Sequence, residues 1–447
     1  MTTLDISNNK IKGQVPGWLI LQLAHMNISN NNFIGFERPT EARLPSVSNP
    51  PMVQLLASNN NFSGNLPSFI CAMRSLFSLD LSNNEFNGSI PRCMGNHKSI
   101  LSDLILRQNH LSGSLPRNIY QSLRSLDVGH NQLVGKLPRS LIHSSTLEVL
   151  NVESNIINDT FPFWLSSLPK LQVLVLRSNA FHGKIHRTWF PKLRIMDLSH
   201  NHFNGTLLPN SFKNWNAMSS LEKNKGHFDE KYMGSGYYRD SVVLMNKGMA
   251  LEYQRILKIY TAIDLSGNKI EGEIPKSIGL LKELHVLNLS NNAFNGHIPS
   301  SMGNLTALES LDVSQNKLSG EIPQELGNLS FLAYMNFSHN QLRGLVPGGT
   351  QFGRQPCSSF EYNSGLFGSS LDLDCPASQQ DETPEAEEED EDEDEEVFSW
   401  IAAAIGFGPG IVLGLTIGYV VLVIYKPEWF TNLFRRNKHR STSTTTR

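Results

Sequence analysis

Few residues of this 447-residue chain stand at spacings that could do chemistry. His182 and His186, in His-Gly-Lys-Ile-His, have the i, i+4 spacing of a zinc pair. The segment reads as a turn rather than a helix, and it lacks the glutamate of HExxH, so no metal site is assigned. The run Gly-Phe-Gly-Pro-Gly at 406 to 410 is glycine-rich but lies inside an uncharged apolar stretch. A phosphate-cradling loop has to sit between a strand and a helix, so this is not one. After Tyr425 only 22 residues remain, far short of the roughly 250 that a kinase's glycine-rich loop, lysine strand and catalytic loop require. No catalytic residue and no cofactor follow, and the chain is not expected to be an enzyme.

What remains is binding chemistry. In Leu-Ile-Leu-Arg-Gln-Asn, Leu-Asn-Val-Glu-Ser-Asn and Leu-Val-Leu-Arg-Ser-Asn, the residues between the leucines depart from a bland background of Asp, Asn and Ser. The departures are Ile105, Arg107, Glu153, Val175 and Arg177, read either as a ligand-facing patch or as a solvated face. Tyr232, Tyr237, Tyr238 and Arg239 form a second candidate patch, because aromatic and arginine side chains supply much of the energy of interfaces. The other reading of that segment is a loop folded over the edge of the main body.

The elements that would position these residues come from a repeat. LDLSNNEFNGSIP (79 to 91), LDVGHNQLVGKLP (126 to 138), IDLSGNKIEGEIP (263 to 275) and LDVSQNKLSGEIP (311 to 323) align without gaps. Most steps between the anchoring glycines are about 22 to 25 residues, the leucine-rich repeat period. Alternate leucines of LxxLxLxxN point to one side of a short strand. The asparagine bonds backbone groups as the chain leaves the strand. Glycine then permits a positive φ, and Asp159 is expected to stand in for one such glycine. The Ile-Pro pair ends the pairing, since proline donates no ladder hydrogen bond. The expected fold class is an α/β solenoid, a horseshoe of about thirteen coils with a parallel sheet on its concave face. Each coil's aliphatic side chains are covered only when a neighbour stacks on them.

Charge is segregated along the chain: 32 Lys+Arg against 27 Asp+Glu over 1–380 gives +5, 381–396 carries −13, and 426–447 carries +5, summing to −3. That is a topological pattern, not a nucleic-acid surface. The 29 residues 397–425 carry no charge, and about 20 residues suffice to cross a bilayer. They read as one transmembrane helix, with the basic tail from Lys426 inside and everything before 397 outside. Gly406, Gly410, Gly414 and Gly418 recur every four residues, a groove through which a second helix could approach closely in lipid. The acidic run 377–396 should be an extended spacer. Four cysteines fall as two close pairs, Cys71 with Cys93 and Cys357 with Cys375, which suits structural disulfides in an oxidising compartment. Asn-x-Ser/Thr sequons at Asn27, Asn61, Asn87, Asn158, Asn204, Asn288, Asn304, Asn328 and Asn336 agree with an exported domain. Asn288 and Asn336 fall inside concave strands and are the weaker glycosylation candidates. The chain opens MTTLDISNNKIKGQVP with neither a basic nor an apolar leader segment. Its first residues already lie within a repeat, so an upstream start is expected.

The GxIP form of the repeat resembles the plant-specific leucine-rich repeat. A 67-residue step between Gly205 and Gly272 holds an insertion containing KYMGSGYYRD. It looks like the island that divides the repeats of plant receptor-like proteins. The whole order resembles that family: repeats over 1–208, island over 209–259, four repeats over 260–347, cap over 348–376, acidic spacer over 377–396, span over 397–425 and basic tail over 426–447. NDTFPFWLSSLPKLQVLVLRSNAFHG resembles its disease-resistance-type members. Such members usually begin with a leader and a cysteine-paired cap, neither of which is seen here. Phe367 stands where many relatives carry cysteine, so Cys357 is expected to pair with Cys375. The resemblance implies a single-pass plasma-membrane receptor without a kinase domain, active in plant defence. Its implied partners are an extracellular protein, peptide or glycan ligand, membrane lipid, an adaptor receptor kinase at the span and a co-receptor kinase at the four C-terminal repeats. A developmental peptide receptor, an inhibitor of secreted pathogen enzymes and a nonfunctional fragment are the alternatives.

Overall fold

The computed structural model describes residues 2–37, 51–95, 100–118, 122–185, 190–220 and 231–368. Among them runs a sheet of 13 parallel strands in strict chain order, from Thr3–Asp5 through Val149–Asn151 to Tyr334–Asn336. Nine of these strands precede the island and four follow it: Ile195–Asp197 pairs with Ala262–Asp264 in register, Met196 opposite Ile263. The solenoid therefore closes over the insertion without losing a step. Each concave strand is only three residues long, because the asparagine that follows turns the chain away from the sheet.

That asparagine is the chief device holding one coil to the next. Asn84 Nδ2 donates to the carbonyls of Leu81 at 3.1 Å and Ser82 at 3.0 Å in its own coil, and to Ala57 at 3.0 Å in the coil before. Its Oδ1 accepts from Phe62 N at 3.1 Å. Asn109, Asn131, Asn155 and Asn201 repeat the pattern. Each buried amide thus satisfies backbone groups that the short strand leaves unpaired. Inward leucines such as Leu79, Leu126, Leu150, Leu287 and Leu311 are essentially fully buried, and phenylalanines stack along the same core, Phe62 on Phe86 at 5.8 Å. Prolines open the convex turns: Pro275 at φ −64° precedes the short 3-10 turn Lys276–Leu280, where its lost N–H needs no partner. Turns of successive coils are also joined covalently by Cys71 and Cys93, whose Cα atoms lie 5.7 Å apart.

Two details of the turn differ from the sequence expectation. Gly88 does take a positive φ of 72°, but so does a second position just before the ladder asparagines, which is a glycine at Gly267 and another residue type elsewhere. Asn83 (51°), His130 (52°) and Ser178 (53°) occupy it. Asp159 is absent from the positive-φ residues. Its carboxylate instead accepts from Leu137 N at 3.2 Å and Thr160 N at 2.8 Å. The lateral strand there stops at Ile157, and beyond it the chain meets the next coil at an isolated bridge from Thr160 to His182. The coil thus has no glycine turn to imitate.

Cys375, the acidic run, the apolar stretch 397–425 with Gly406, Gly410, Gly414 and Gly418, the basic tail and His186 lie outside the described residues. Among the described residues no helix is long and apolar enough to cross a membrane, and none of their acidic, histidine and cysteine side chains cluster as a metal site.

Candidate ligand-facing groove

On the concave strands the middle residue enters the core, while the first and last residues face the groove. The last position forms a ladder: Asp80, Asp127, Asp197, Asp264 and Asp312, with Asn27, Asn151, Asn288 and Asn336 at other rungs. Each Asp rung is held by the residue two further on. Ser199 N donates to Asp197 Oδ1 at 3.0 Å, and Ser199 Oγ donates to the same atom at 2.6 Å.

The island lies along this groove. The antiparallel hairpin of Val242–Asn246 and Met249–Tyr253 and the preceding loop reach from the second coil to the thirteenth. That is eleven strand spacings, about 53 Å. At one end Tyr237 stacks on His25 at 5.7 Å, packs against Phe77 at 5.2 Å, and accepts at its carbonyl from Gln54 Nε2 at 2.6 Å. At the other, Lys247 N donates to Ser310 Oγ at 3.1 Å. Gly248 approaches Tyr334 so closely that a Cβ there would stand 3.0 Å from its hydroxyl.

Between these ends the contact is apolar, then ionic. Met233, Val242, Leu244 and Ile256 of the island form a buried cluster with Val149, Val173, Val175, Ile195, Ala262 and Val286 of the strands. Burial of each such side chain contributes about 1.5 to 3 kcal/mol. Arg124, on the sixth coil, is the ionic centre. It meets Asp240 of the island at 2.6 and 3.2 Å, Asp103 at 2.7 Å and Glu148 at 3.5 Å. Ser235 Oγ of the island donates to Asp103 at 2.8 Å. Burial works against the charge of Arg124, but Asp240 and Asp103 outweigh it and hold the guanidinium fully ionised. Arg107 reaches Glu252 at 2.9 Å. Arg177 donates to Val243 O at 3.3 Å and pairs with Glu153 and, at 3.5 Å, with Asp197.

The carboxylates beneath the island are perturbed accordingly. Burial pushes Asp127 up to about 7 against the pull of Arg107. Asp197 is also pushed to about 7, first by burial and then by the Asp264 carboxylate in the adjoining strand. Asp80 and Asp103 are raised by burial. At Glu153 burial is outweighed by a hydrogen bond from His130 and by Arg177, and its carboxyl is lowered.

This geometry corrects the expectation for the concave candidates. Ile105, Glu153 and Val175 are at most 1% exposed, and Arg107 and Arg177 have their guanidiniums engaged. None of the five is a solvated face, because the island covers it. Nor does the island merely fold over an edge. Of its own candidates, Tyr237 and Arg239 are exposed, while Tyr232 and Tyr238 are half-buried. Arg255 and Lys231 both stand 5.8 Å from the Tyr232 ring centre. The covered stretch carried a sequence signal. The first groove-facing residue is Ser in Leu-Phe-Ser-Leu-Asp-Leu and Leu-Arg-Ser-Leu-Asp-Val. It turns to Val149, Val173, Ile195, Ala262 and Val286 in the coils that the island's apolar face meets. His182 opens the lateral strand His182–Lys184, which is not a helix. Asn27, Asn288 and Asn336 have their side chains tied to neighbouring groove groups, whereas the other six sequon asparagines are exposed.

Leucine-rich repeat models match residues 145–203 and seven further segments, among them 1–20, 122–144 and 307–329. Receptor-like protein 35 of Arabidopsis thaliana is 72% identical over 99% of this chain, and receptor-like protein 32 is 71% identical over 97%. The chain belongs to the plant leucine-rich repeat receptor-like proteins. It spans about half the length of these curated relatives, 47% of the first and 50% of the second. Two solved structures share the solenoid. The PEPR1–AtPEP1 complex is 26% identical with a TM-score of 0.57, covering 82% of this chain and 52% of that one. The receptor kinase HAESA, in complex with the peptide hormone IDA and the co-receptor SERK1, is 27% identical with a TM-score of 0.52, covering 84% and 63%. The receptor-like protein thus pairs a regular repeat scaffold with an island that fills its groove.

Proposed function

We propose that this receptor-like protein is a plasma-membrane receptor without a kinase domain, its repeats outside the cell and its basic tail inside. It takes an extracellular peptide, protein or glycan ligand at the groove and island, and in plant defence the ligand is pathogen-derived. The signal passes to an adaptor receptor kinase through the glycine face of the span, Gly406, Gly410, Gly414 and Gly418. A co-receptor kinase joins at the four C-terminal coils. The observation that carries this reading is the island itself: a segment docked along most of the groove, with Tyr237 and Arg239 left exposed. The scaffold beneath it resembles receptor structures solved with a peptide and, in one case, a co-receptor. Ile105, Arg107, Glu153, Val175 and Arg177 then shape the groove by holding the island rather than by meeting the ligand first.

The HAESA complex with a peptide hormone favours a second reading, perception of an endogenous peptide. Plants lacking the gene separate the two. Loss of response to a microbial extract, with normal growth, supports defence. Intact microbial responses with altered organ or stomatal development overturn it in favour of the second. Glycosidase treatment of the native protein tests export under either reading: a mobility shift is expected, and its absence overturns both.

A further inference from the structure

Among the described residues the groove holds more buried negative charge than positive charge. Asp103, Asp127, Glu153, Asp197 and Asp264 are each no more than 5% exposed beneath the island, Asp80 is 7% exposed, and the island adds Asp240 at 3%. Among the described residues, three guanidiniums face these seven carboxylates. Arg107 lies against Asp127 and Glu252, Arg124 against Asp103, Glu148 and Asp240, and Arg177 against Glu153 and Asp197. His130 adds one partner for Glu153 at 3.5 Å, and Lys247 pairs with Glu309 at the hairpin tip, outside the covered zone. Tyr238 faces Asp80, Asp127 and Asp240 from the island and, as a phenol pushed well above its ordinary range, brings no positive charge. Asp197 and Asp264 stand side by side on register-paired strands. Buried charge without a partner costs several kcal/mol per ion, so the covered groove must hold protons.

We propose that the island is a proton-linked clamp on the groove: closing it buries more carboxylates than guanidiniums and takes up protons, and opening it releases them. The inference rests on the groove and island being the ligand-facing region and adds how that region is regulated. Asp127 and Asp197 lead the linkage, and Asp80, Asp103 and Asp264, raised by burial in the same direction, add to it. Asp127 and Asp197 are pushed to about 7 in the closed form and fall toward the ordinary carboxylate range near 4 once water reaches them. Their closed-state values are raised, so the stabilisation of the closed form is fully present below about pH 4 and is lost as pH rises through about 7. Within that window each linked proton changes the closure constant about tenfold per pH unit. Glu153 is lowered in the closed form, so it stays ionised between about pH 5 and pH 7.5 and does not oppose the effect.

The clamp is read by hydrogen exchange on the full chain in detergent, with no ligand added. Labelling times are scaled between about pH 5 and pH 7.5 for the intrinsic exchange chemistry. Residues 242–253 should exchange at least tenfold faster, after scaling, at the higher pH, while the ladder strands of the last coils do not change. Asp127→Asn combined with Asp197→Asn should shrink the difference and leave the hairpin better protected at the higher value. The chain itself shows that asparagine serves at these rungs: Asn151 Oδ1 accepts from Glu153 N at 3.0 Å, and Asn288 Oδ1 from Ser290 N at 3.1 Å. Equal scaled rates in the unmodified chain overturn the clamp, as does faster exchange at the lower pH or an undiminished difference in the double variant. A ligand plays no part in this measurement. The clamp can therefore fail while the receptor reading stands, and failure to respond to any ligand leaves the clamp intact.

Discussion

Replacing Arg124 by Gln removes a buried cation that the island and the coils share, paired with Asp240 on one side and Asp103 on the other. Arg124 is 8% exposed, and two of its partners, Asp103 at 0% and Asp240 at 3%, are buried. Breaking a buried pair from one side costs about 3 to 5 kcal/mol, because the remaining carboxylates keep their desolvation without their counter-charge. The chain has one way to limit that cost. If the island leaves the groove, Asp103 and Asp240 rehydrate, and the loss cannot exceed the free energy of docking. Arg124→Gln should therefore show either a fall of about 3 kcal/mol or more in urea unfolding or full exposure of residues 242–253 in hydrogen exchange with the repeats still folded. The penalty should shrink at low pH. Burial already holds Asp103 above its ordinary value, and without the guanidinium it protonates more readily, so acid neutralises what the substitution left unpaired. Asp240→Asn in the same background supplies the control: once Arg124 is gone, losing the charge at 240 should partly restore docking. A change below about 1 kcal/mol at neutral pH, with hairpin protection intact, would refute the assignment of Arg124 as the ionic centre.

Asn84→Ala should destabilise the chain by about 1 to 3 kcal/mol, read from urea unfolding, since it leaves the buried N–H of Phe62 without its acceptor and takes one of two donors from each of the carbonyls of Ala57, Leu81 and Ser82. A loss under about 1 kcal/mol would mean that water replaces the amide. Glycopeptide mapping of the native protein should find sugar at Asn61, Asn87, Asn158, Asn204, Asn304 and Asn328, which are exposed. Asn27, Asn288 and Asn336 should be bare, and glycan at any of those three contradicts the groove geometry. Gly410→Leu with Gly414→Leu should leave membrane insertion unchanged and reduce co-precipitation of the adaptor kinase. Undiminished recovery of the kinase removes the glycine face as its binding surface.

The coils were legible in the sequence because each rule acts within about 24 residues. Leucines alternate along a strand, asparagine bonds the turn, and proline opens the convex side. Each choice agrees with its neighbours, so periodicity alone places the core. The groove was not legible in the same way. Arg107, Glu153 and Arg177 depart from the background of the repeat, but the island groups that Arg177 and Arg107 face, Val243 and Glu252, lie 66 and 145 positions away. No local rule reports such a pairing. Val175 departs visibly from the Asp and Asn of its position, whereas Val149, Val173 and Val286 do not stand out singly, although together the four form the apolar floor of the island's seat. A valine at the first groove position is compatible with any parallel strand. Only the change from serine to β-branched residues over consecutive coils marks a covered face. Asp159 erred in the opposite direction: its residue type suited a positive φ, but the lateral strand it would have followed ends too early.

The island changes how the array holds together. A repeat solenoid gains stability from each coil and its nearest neighbours, so distant coils are normally coupled only through all those between. Here one segment touches coils from the second to the thirteenth. Its grip is uneven. The apolar seat from Val149 to Val286 and the pairs of Arg124 and Arg177 occupy the middle, where burial makes each contact strong. At the hairpin tip, the pair Lys247–Glu309 has 42% and 36% of its side chains exposed, and such pairs contribute at most about 1 kcal/mol. At the other end Tyr237 holds on while 42% exposed. Opening therefore starts at the two ends and meets resistance at the centre. A ligand that reaches the groove from the last coils encounters the weak end first. It can occupy the outer rungs, Asp312 and Asn336, before it has to compete with Arg124.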